Sequence, residues 1–463
     1  MKYAVKVFAV AAVGLIAAAI PLSAAEQAKT ARTAELFKTD QAADKAGSIT
    51  IEQAIDTALQ QNSSVLIAQK TAQIYDQQVK EYWSYVYPSV ELSGSYTRAL
   101  RPQSTITSMG NFRFSLDNAT SGLAQASLLL WKGGAVNAGI KIGQYYSQGG
   151  YLDLKEAQNN ISNLVSTLCY GIILAHATQQ VEQLNLDISK DHLKEAQEKY
   201  RQGLASDLDV LNQQVKVSNN EPPVIQARNN YELGLLKLRK LLNKDPEDPL
   251  YLTWDIGEVT DIKVPPLDEL YSMADANRPQ LIVSDLNVKI AAEQIKVAKA
   301  DHYGEISAFV NAKYTGSSDS VVIPMSSNNS SYGTNAGLEV SFPLFEGFKI
   351  QSQVRQKELA YEQAVLQNND AKRDVRIAVK TAWLNLQEAR QRVAATKDTI
   401  DQASKNLDKT NVRYRAGLAS RLDLDDSALS LHDAQLQYVQ AVHDVLTSIS
   451  DLNYAVGKEV TIK

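Results

Sequence analysis

Asp423 and Asp426 stand three residues apart in the run Leu422-Asp423-Leu424-Asp425-Asp426, so a helix would carry both carboxylates on one face. Such a pair attracts cations, and each member raises the cost of ionising the other. Taken alone, carboxylate pairs on a polar helix are ordinarily solvated surface. The chain offers little other chemistry. It has no Ser-His-Asp spacing, no Gly-rich phosphate loop and no His cluster, and so reads as a non-enzyme without cofactor or metal. His432 and His443 share a helical face but sit about 16 Å apart along it. One Cys excludes a disulfide framework and a Cys-based zinc site. That residue, Cys169, lies in an apolar helical stretch, the setting of an inert packing thiol. A net charge of −5 argues against a basic surface for nucleic acid.

The elements that would position these residues begin with an address. Lys2 and Lys6 precede an apolar stretch over residues 8–20, and Ser23-Ala24-Ala25 supplies small residues for cleavage. This pattern predicts a signal peptide over 1–25, followed by a linker over 26–47 with no Cys at the cleavage point for a lipid anchor. Of the later apolar stretches the best, 164–177, contains Ser166, Thr167 and His176 and falls short of the roughly 20 residues a membrane span needs. No second membrane helix is therefore expected. An exported chain of that kind is soluble or a β-barrel. At 463 residues with 22 Gly and 12 Pro, it is neither low-complexity nor collagen-like.

Proline is missing from residues 103–221 and from 344 onward, and both stretches are rich in good helix formers. In the second, Val379, Leu386, Val393, Ile400, Leu407 and Tyr414 recur every seven residues, with Ala382, Ala389, Thr396, Ala403 and Thr410 three later. That is a coiled-coil seam of alternating large and small layers. Shifted by 214, much of it returns as Val165, Ile172, Leu186, Leu193 and Tyr200, broken only at Gln179. The repeat is plainest where the seams end. Residues 200–209 (YRQGLASDLD) and 414–423 (YRAGLASRLD) agree at eight of ten positions. Each reads as a helix end, a glycine in left-handed conformation (Gly203, Gly417), then a serine N-cap (Ser206, Ser420) for a returning helix. Each half thus holds a helical hairpin, and a helix over 347–414 would be about 100 Å long.

Two strand-like segments precede each long helix. Val90, Leu92, Gly94 and Tyr96 alternate with polar residues, as do Phe112, Phe114 and Leu116. In the second half Ile306, Ala308, Val310, Ala312 and Tyr314 do the same, followed by Leu338, Val340 and Phe342. One apolar and one polar face is the pattern of a transmembrane barrel strand, and equally of a half-buried soluble sheet. Polar loops over 104–111 and 316–337 lie between the members of each pair. Tyr82, Trp83, Tyr85, Tyr87, Trp131 and Phe345 crowd the junctions with the helices, as a membrane-interface belt or as core packing.

This layout resembles the TolC-like outer membrane efflux protein family. Residues 51–62 (IEQAIDTALQQN) look like its opening helix. Pro343-Leu344-Phe345-Glu346-Gly347 looks like its strand-to-helix junction, with Leu130-Trp131-Lys132-Gly133 as the first-half counterpart. The two Tyr-Arg-x-Gly-Leu-Ala-Ser runs look like its hairpin tips, and the resemblance covers residues 48–458. It implies a mixed, mostly α fold: a homotrimer giving four strands per chain to a twelve-stranded transmembrane β-barrel, continued by a periplasmic α-helical coiled-coil barrel. The implied role is the outer membrane channel of a tripartite efflux pump or type I secretion system in a Gram-negative bacterium. Its partners would be a periplasmic adaptor, an inner membrane pump or ABC exporter, and outer membrane lipid, with no nucleic acid. Four strands cannot close a membrane barrel alone, which agrees with self-association.

The resemblance also assigns residues. Asp423 and Asp426 would line the periplasmic entrance, with Asp209 and Asn212 at the matching places on the first tip. Tyr414 would latch the tips shut, Tyr200 being its first-half match. The family's usual Arg falls on Ala419, so Arg415 or Arg421 would replace it, and a Tyr414–Asp209 link is expected. Gly203, Leu204, Ser206, Gly417, Leu418 and Ser420 would form the tips on which the adaptor docks. The repeats would be 48–244 and 267–458, with an equatorial segment over 245–266, a lead-in helix over 267–300 interrupted at Pro279, and a tail over 459–463. Pro222-Pro223 should break or kink the first returning helix. The competing readings are a periplasmic adaptor, which carries one hairpin and a lipoyl-like domain, and a structural coiled-coil envelope protein.

Overall fold

The computed structural model describes residues 47–100, 104–107, 110–113, 117–256, 264–319 and 330–460. The expected signal peptide and residues 26–46 of the expected linker fall outside these, as do residues 257–263 of the proline-rich segment and the middle of the second polar loop.

A short strand β1 (Ser48–Thr50) leads into α1 (Ile51–Gln61), whose start is fixed by a reciprocal cap between Thr50 and Gln53. Asn62 ends α1 and caps α2 (Ser63–Ser84), and its amide also donates to the Leu241 carbonyl at 2.9 Å. Strands β2 (Ser89–Arg98), β3 (Ser104–Thr107), β4 (Gly110–Arg113) and β5 (Asn118–Trp131) follow, then the hairpin of α3 (Ala135–Arg201) and α4 (Asp207–Leu241). The second half runs through β6 (Tyr251–Thr253), α5 (Leu267–Asn277), α6 (Pro279–Ala300), β7 (Glu305–Ser318) and β8 (Ser330–Ser341). It ends in the hairpin of α7 (Lys349–Arg415) and α8 (Arg421–Val456). At 67 residues each, α3 and α7 are about 100 Å long.

Strands β2, β5, β7 and β8 form one antiparallel sheet in the order β2-β5-β7-β8. Residues 114–116 of the strand expected after Phe112 lie outside the described residues; the strand that pairs with β2 is β5, further along the chain. Its first ten residues, Asn-Ala-Thr-Ser-Gly-Leu-Ala-Gln-Ala-Ser, are largely small and its last four are Leu-Leu-Leu-Trp, so its two faces hardly differ in polarity. The expected polar loop over 104–111 instead contains the β3–β4 hairpin. Strands β7 and β8 reach further than their alternation showed, to Ser318 and from Ser330.

The seams are buried along most of their length and open toward the tips, where Leu193, Leu407 and Tyr414 are half-buried and Tyr200 is exposed. Val379, Leu386 and Val393 are fully enclosed with Ala382 and Ala389, as are Val165, Ile172, Ile173 and Cys169 in the first half. Each such side chain contributes roughly 1.5–3 kcal/mol through burial. Burial pushes the Cys169 thiol up to about 12, consistent with an inert group. An 18-residue stretch of α3 is apolar enough, at mean hydropathy 1.3, to cross a membrane on composition, contrary to expectation. Val165, Cys169, Ile172, Ile173 and Ala177 of this region face the other helices, while Leu164 is exposed. Three glycines in α3 admit rings from α2. A Cβ at Gly143 would lie 2.6 Å from the Tyr82 ring, and one at Gly150 would lie 2.6 Å from Tyr75. Tyr82 thus packs against α3.

Of the break or kink expected at Pro222-Pro223, the break does not occur: helix α4 continues through both prolines. The two carbonyls robbed of partners belong to Ser218 and Asn219, both exposed and so open to water. The inner face of α4 stays seated on α3 through Gln213, Ala227, Leu235 and Leu238 and through an Asn220–Ser189 hydrogen bond of 2.8 Å. The proline-rich segment pairs in parallel with β1 through β6 and buries Leu250, Leu252 and Trp254.

Candidate functional site

Both hairpin tips are shaped by the same local chemistry. Gly203 takes φ +74°, which lets the Leu204 N–H reach the Lys199 carbonyl at 2.8 Å. Gly417, at φ +72°, lets the Leu418 N–H reach the Arg413 carbonyl at 2.8 Å. Ser206 then accepts from the Asp209 N–H at 3.2 Å, and the Asp209 carboxylate accepts from the Ser206 N–H and hydroxyl at 2.8 and 2.7 Å. Ser420 and Asp423 repeat the arrangement at 3.1, 2.8 and 2.8 Å. The Ser206 hydroxyl, then its N–H, hold the Asp209 carboxyl below its ordinary range; the Ser420 N–H, then its hydroxyl, do so for Asp423. Depressed carboxyls stabilise above the unfolded value of about 4, and these caps weaken only as pH falls through the lower folded one.

Between the tips, side chains from four helices meet around Arg421. Its guanidinium carbon lies 5.7 Å from the centre of the Tyr414 ring. Its Nη2 donates to Gln213 Oε1 at 3.4 Å, and its Nη1 lies 4.0 Å from Glu195. Its Nε is 3.2 Å from Asp425, close enough for an ion pair though not aligned as a hydrogen bond. Asp425 also takes the ammonium of Lys216 from α4. Lys199 of α3 sits 5.2 Å over the Tyr414 ring, donates to its hydroxyl at 3.4 Å and pairs with Glu195 at 2.8 Å. The half-buried His192 feels the same charges. Burial first, then Arg421, lowers its pKa, Asp425 and Glu195 oppose this, and Lys216 adds to it.

The expected Tyr414–Asp209 link is not formed, because Asp209 is occupied by its own cap and the Tyr414 hydroxyl by Lys199. Of the two candidate arginines Arg421 faces the companion hairpin, while Arg415 is exposed. Tyr200, Asn212 and Asp426 are exposed too. Lys199, Glu195, His192, Gln213, Lys216 and Asp425 are members the sequence reading missed. Asp425 could have been found, as a carboxylate four residues after Arg421 on the same helix. Lys216 could not, since 209 residues separate it from its partner.

The profile of the outer membrane efflux protein family matches residues 54–244 and 270–458, nearly the whole of both halves. The chain belongs to this family. It is accordingly an outer membrane protein of a transport family. Outer membrane protein TolC of Escherichia coli (strain K12) is 23% identical over 313 residues, 66% of this chain and 61% of that relative's length. The fold is that of two solved channels. The outer membrane protein VceC of Vibrio cholerae superposes with TM-score 0.73 at 17% identity, covering 88% of this chain and 96% of VceC. The CmeC outer membrane channel of Campylobacter jejuni gives 0.74 at 16% identity, covering 91% of each chain. These likenesses concern the fold.

Proposed function

We propose that the chain is the exit duct of a tripartite efflux pump or type I secretion system. Three copies would close a twelve-stranded barrel in the outer membrane and extend an α-helical barrel into the periplasm. The observation that carries this reading is a four-stranded sheet with two unpaired edges, β2 and β8, set at the head of two helices about 100 Å long. One face of that sheet exposes Val90, Leu92, Val310, Leu338 and Val340, while Glu91, Ser93, Asn311 and Glu339 alternate with them. Twelve residues of β8, tilted by about 40°, rise about 30 Å, the thickness of the hydrocarbon layer.

The helices support self-association as well. Leu208, Leu211, Val215, Pro222 and Ile225 on α4, with Leu204 at the tip before it, form an exposed seam spaced by threes, fours and one seven that this chain does not cover itself. Leu359, Leu366, Ile377 and Leu384 leave a second one on α7. A neighbouring copy would cover both. In this reading 48–244 and 267–458 are two structural repeats about an equatorial segment, and residues 1–25 are removed on export. A cysteine at Leu92 on β2, tested against single cysteines along β8, should give covalent trimers on a non-reducing gel at alternate β8 positions. Buried Cys169 leaves the background clean. Monomers at every position would sink the assembly.

The tips would dock on a periplasmic adaptor carried by the inner membrane pump or exporter, through Gly203, Leu204, Ser206, Gly417, Leu418 and Ser420. Leu204 and Leu418 are largely exposed, ready for such a partner. The entrance would be lined by Asp423, Asp426, Asp209 and Asn212. The Arg421 cluster would hold the resting entrance closed, and His192 makes that closure pH-dependent. A lowered His pKa means that neutral His192 suits the latched state, so stability falls once pH drops below the free value near 6.5. Conductance in planar bilayers should therefore rise between about pH 7.5 and 5.5 and should stay flat in His192→Gln. A parent channel indifferent to pH over that span would dismiss His192 as part of the latch.

A further inference from the structure

Three turns meet where the sheet joins the long helices, and they leave a cavity of about 300 Å³ between them. Lys132 enters it from the turn between β5 and α3, Asp301 and Glu305 from the turn between α6 and β7, and Glu346 and Lys349 from the turn between β8 and α7. Two close approaches hold these turns together. Gly133, at φ +52°, sits so near the end of α6 that a Cβ would lie 2.7 Å from the Ala300 carbonyl. Gly304, at φ +71°, lies where a Cβ would run into the Ser341 carbonyl at the end of β8. The walls are therefore set before anything enters.

The charges around the cavity do not cancel. Lys132 pairs with Glu305 at 3.3 Å and Lys349 with Glu346 at 3.4 Å, each ammonium reaching one oxygen of its carboxylate. The Asp301 side chain makes no hydrogen bond or ion pair among the described residues, so one negative charge is left over. Ser341 and Gln353 add a hydroxyl and an amide, each able to accept. Pro343 and Ile350 supply an apolar wall. The space is about ten times that of one water, too wide for a bare metal ion. Among the described residues no three carboxylate, His or Cys side chains converge to hold one. Acceptors set apart by a short apolar wall suit ammonium groups separated by methylenes.

The register shows which way the cavity opens. Glu305 and Ser341 pair with each other, in phase with Asn311 and Glu339, on the face opposite Val310 and Val340. In a closed barrel that is the water-filled face.

We infer that this cavity is a binding site for aliphatic polyamines, in the lumen wall at the neck between sheet and helices. Its part in transport rests on the duct reading: such cations would pause there on the way out, held by half-exposed carboxylates that also let them leave. The acids of the tips lie about 100 Å away, at the other end of α7.

Equilibrium dialysis of radiolabelled spermidine against the full chain, purified in detergent at about 0.1 M salt, tests this. The parent should bind one spermidine per chain. Asp301→Asn should weaken binding about fivefold, and so should Glu346→Gln on a different turn. Lys132→Met should tighten it by about the same factor, because it frees Glu305. Lys313→Met is the control: it lies on the same face of β7 about 26 Å from Glu305, beyond the screening length, and should leave affinity unchanged. No binding by the parent overturns the site, as does parent-like affinity in both Asp301→Asn and Glu346→Gln. So does an effect of Lys313→Met equal to that of Lys132→Met, which would mean a general field of the lumen. In planar bilayers, spermidine added on the barrel side should reduce the current of the parent and reduce that of Asp301→Asn less. A protein that binds spermidine through Asp301 yet carries no current keeps the site and overturns the duct reading beneath it.

Discussion

Tyr414→Phe combined with Arg421→Ser should open the resting channel. Single-channel conductance should rise several-fold, and cells relying on the protein should become sensitive to large antibiotics such as vancomycin. The pair removes the ring-to-guanidinium contact, the Lys199–Tyr414 hydrogen bond and every contact Arg421 makes with Asp425, Glu195 and Gln213. These groups are half-exposed, so each link is worth only about 1 kcal/mol. Summed over the three copies of the proposed trimer the loss is several kcal/mol, enough to shift the closed-to-open ratio by roughly a hundredfold or more. Such weak, repeated links suit a latch that a docking partner must release. Asp425→Asn should reproduce much of the effect, because that carboxylate serves both Lys216 and Arg421. Arg415→Ser should conduct like the parent, since Arg415 is exposed and lies outside the cluster. If the double variant also conducts like the parent, the seam and not the polar cluster holds the tip closed.

Arg278→Ala should cost about 3–5 kcal/mol and sharply reduce the assembled protein recovered from membranes. Arg278 is 7% exposed at the junction of α5 and α6. Its guanidinium pairs with Glu156 of α3 at 3.0 Å, donates to the Tyr454 carbonyl and lies 4.2 Å from the centre of the Tyr454 ring. The Tyr454 hydroxyl closes the circuit by donating to Glu156 at 2.8 Å. Next to it Gly457, at φ +75°, ends α8 where a Cβ would come within 3.0 Å of the Asn277 carbonyl. One side chain thus ties the lead-in helices of the second half to the first hairpin and to the end of the chain. Removing it strands the partly buried Glu156 carboxylate without its cation. Arg278→Lys should rescue little, because an ammonium cannot both stack on the ring and reach two acceptors. An unfolding temperature for Arg278→Ala within a degree or two of the parent would show the clamp to be dispensable.

Several features were legible because their causes lie a few residues apart. A Gly followed three residues later by Ser, then by Asp three further on, predicts a left-handed helix end and a reciprocal cap; both tips have them. A seven-residue repeat of Val, Leu and Ile predicts a buried stripe on a long helix, and Val379, Leu386 and Val393 form it. A break or kink at Pro222-Pro223 was expected from the same local rules, and the break did not occur, because α3 holds the other face of α4 along its length.

What the sequence alone determined was therefore the hairpins, their length and the shape of their tips, since backbone dihedral preference and helical period act over one or two turns. Only the tertiary structure decided that β5, small-residued over its first ten positions and apolar on both faces over its last four, lies between β2 and β7. Strand partners are chosen by ladder hydrogen bonds between segments up to about 200 residues apart, and small side chains leave no polarity pattern to reveal the register. It likewise decided that Tyr414 meets Lys199 and not Asp209, and that Arg421 meets Asp425, Glu195 and Gln213. Each carboxylate had a near competitor in sequence, and the local serine cap took Asp209 before any distant phenol could.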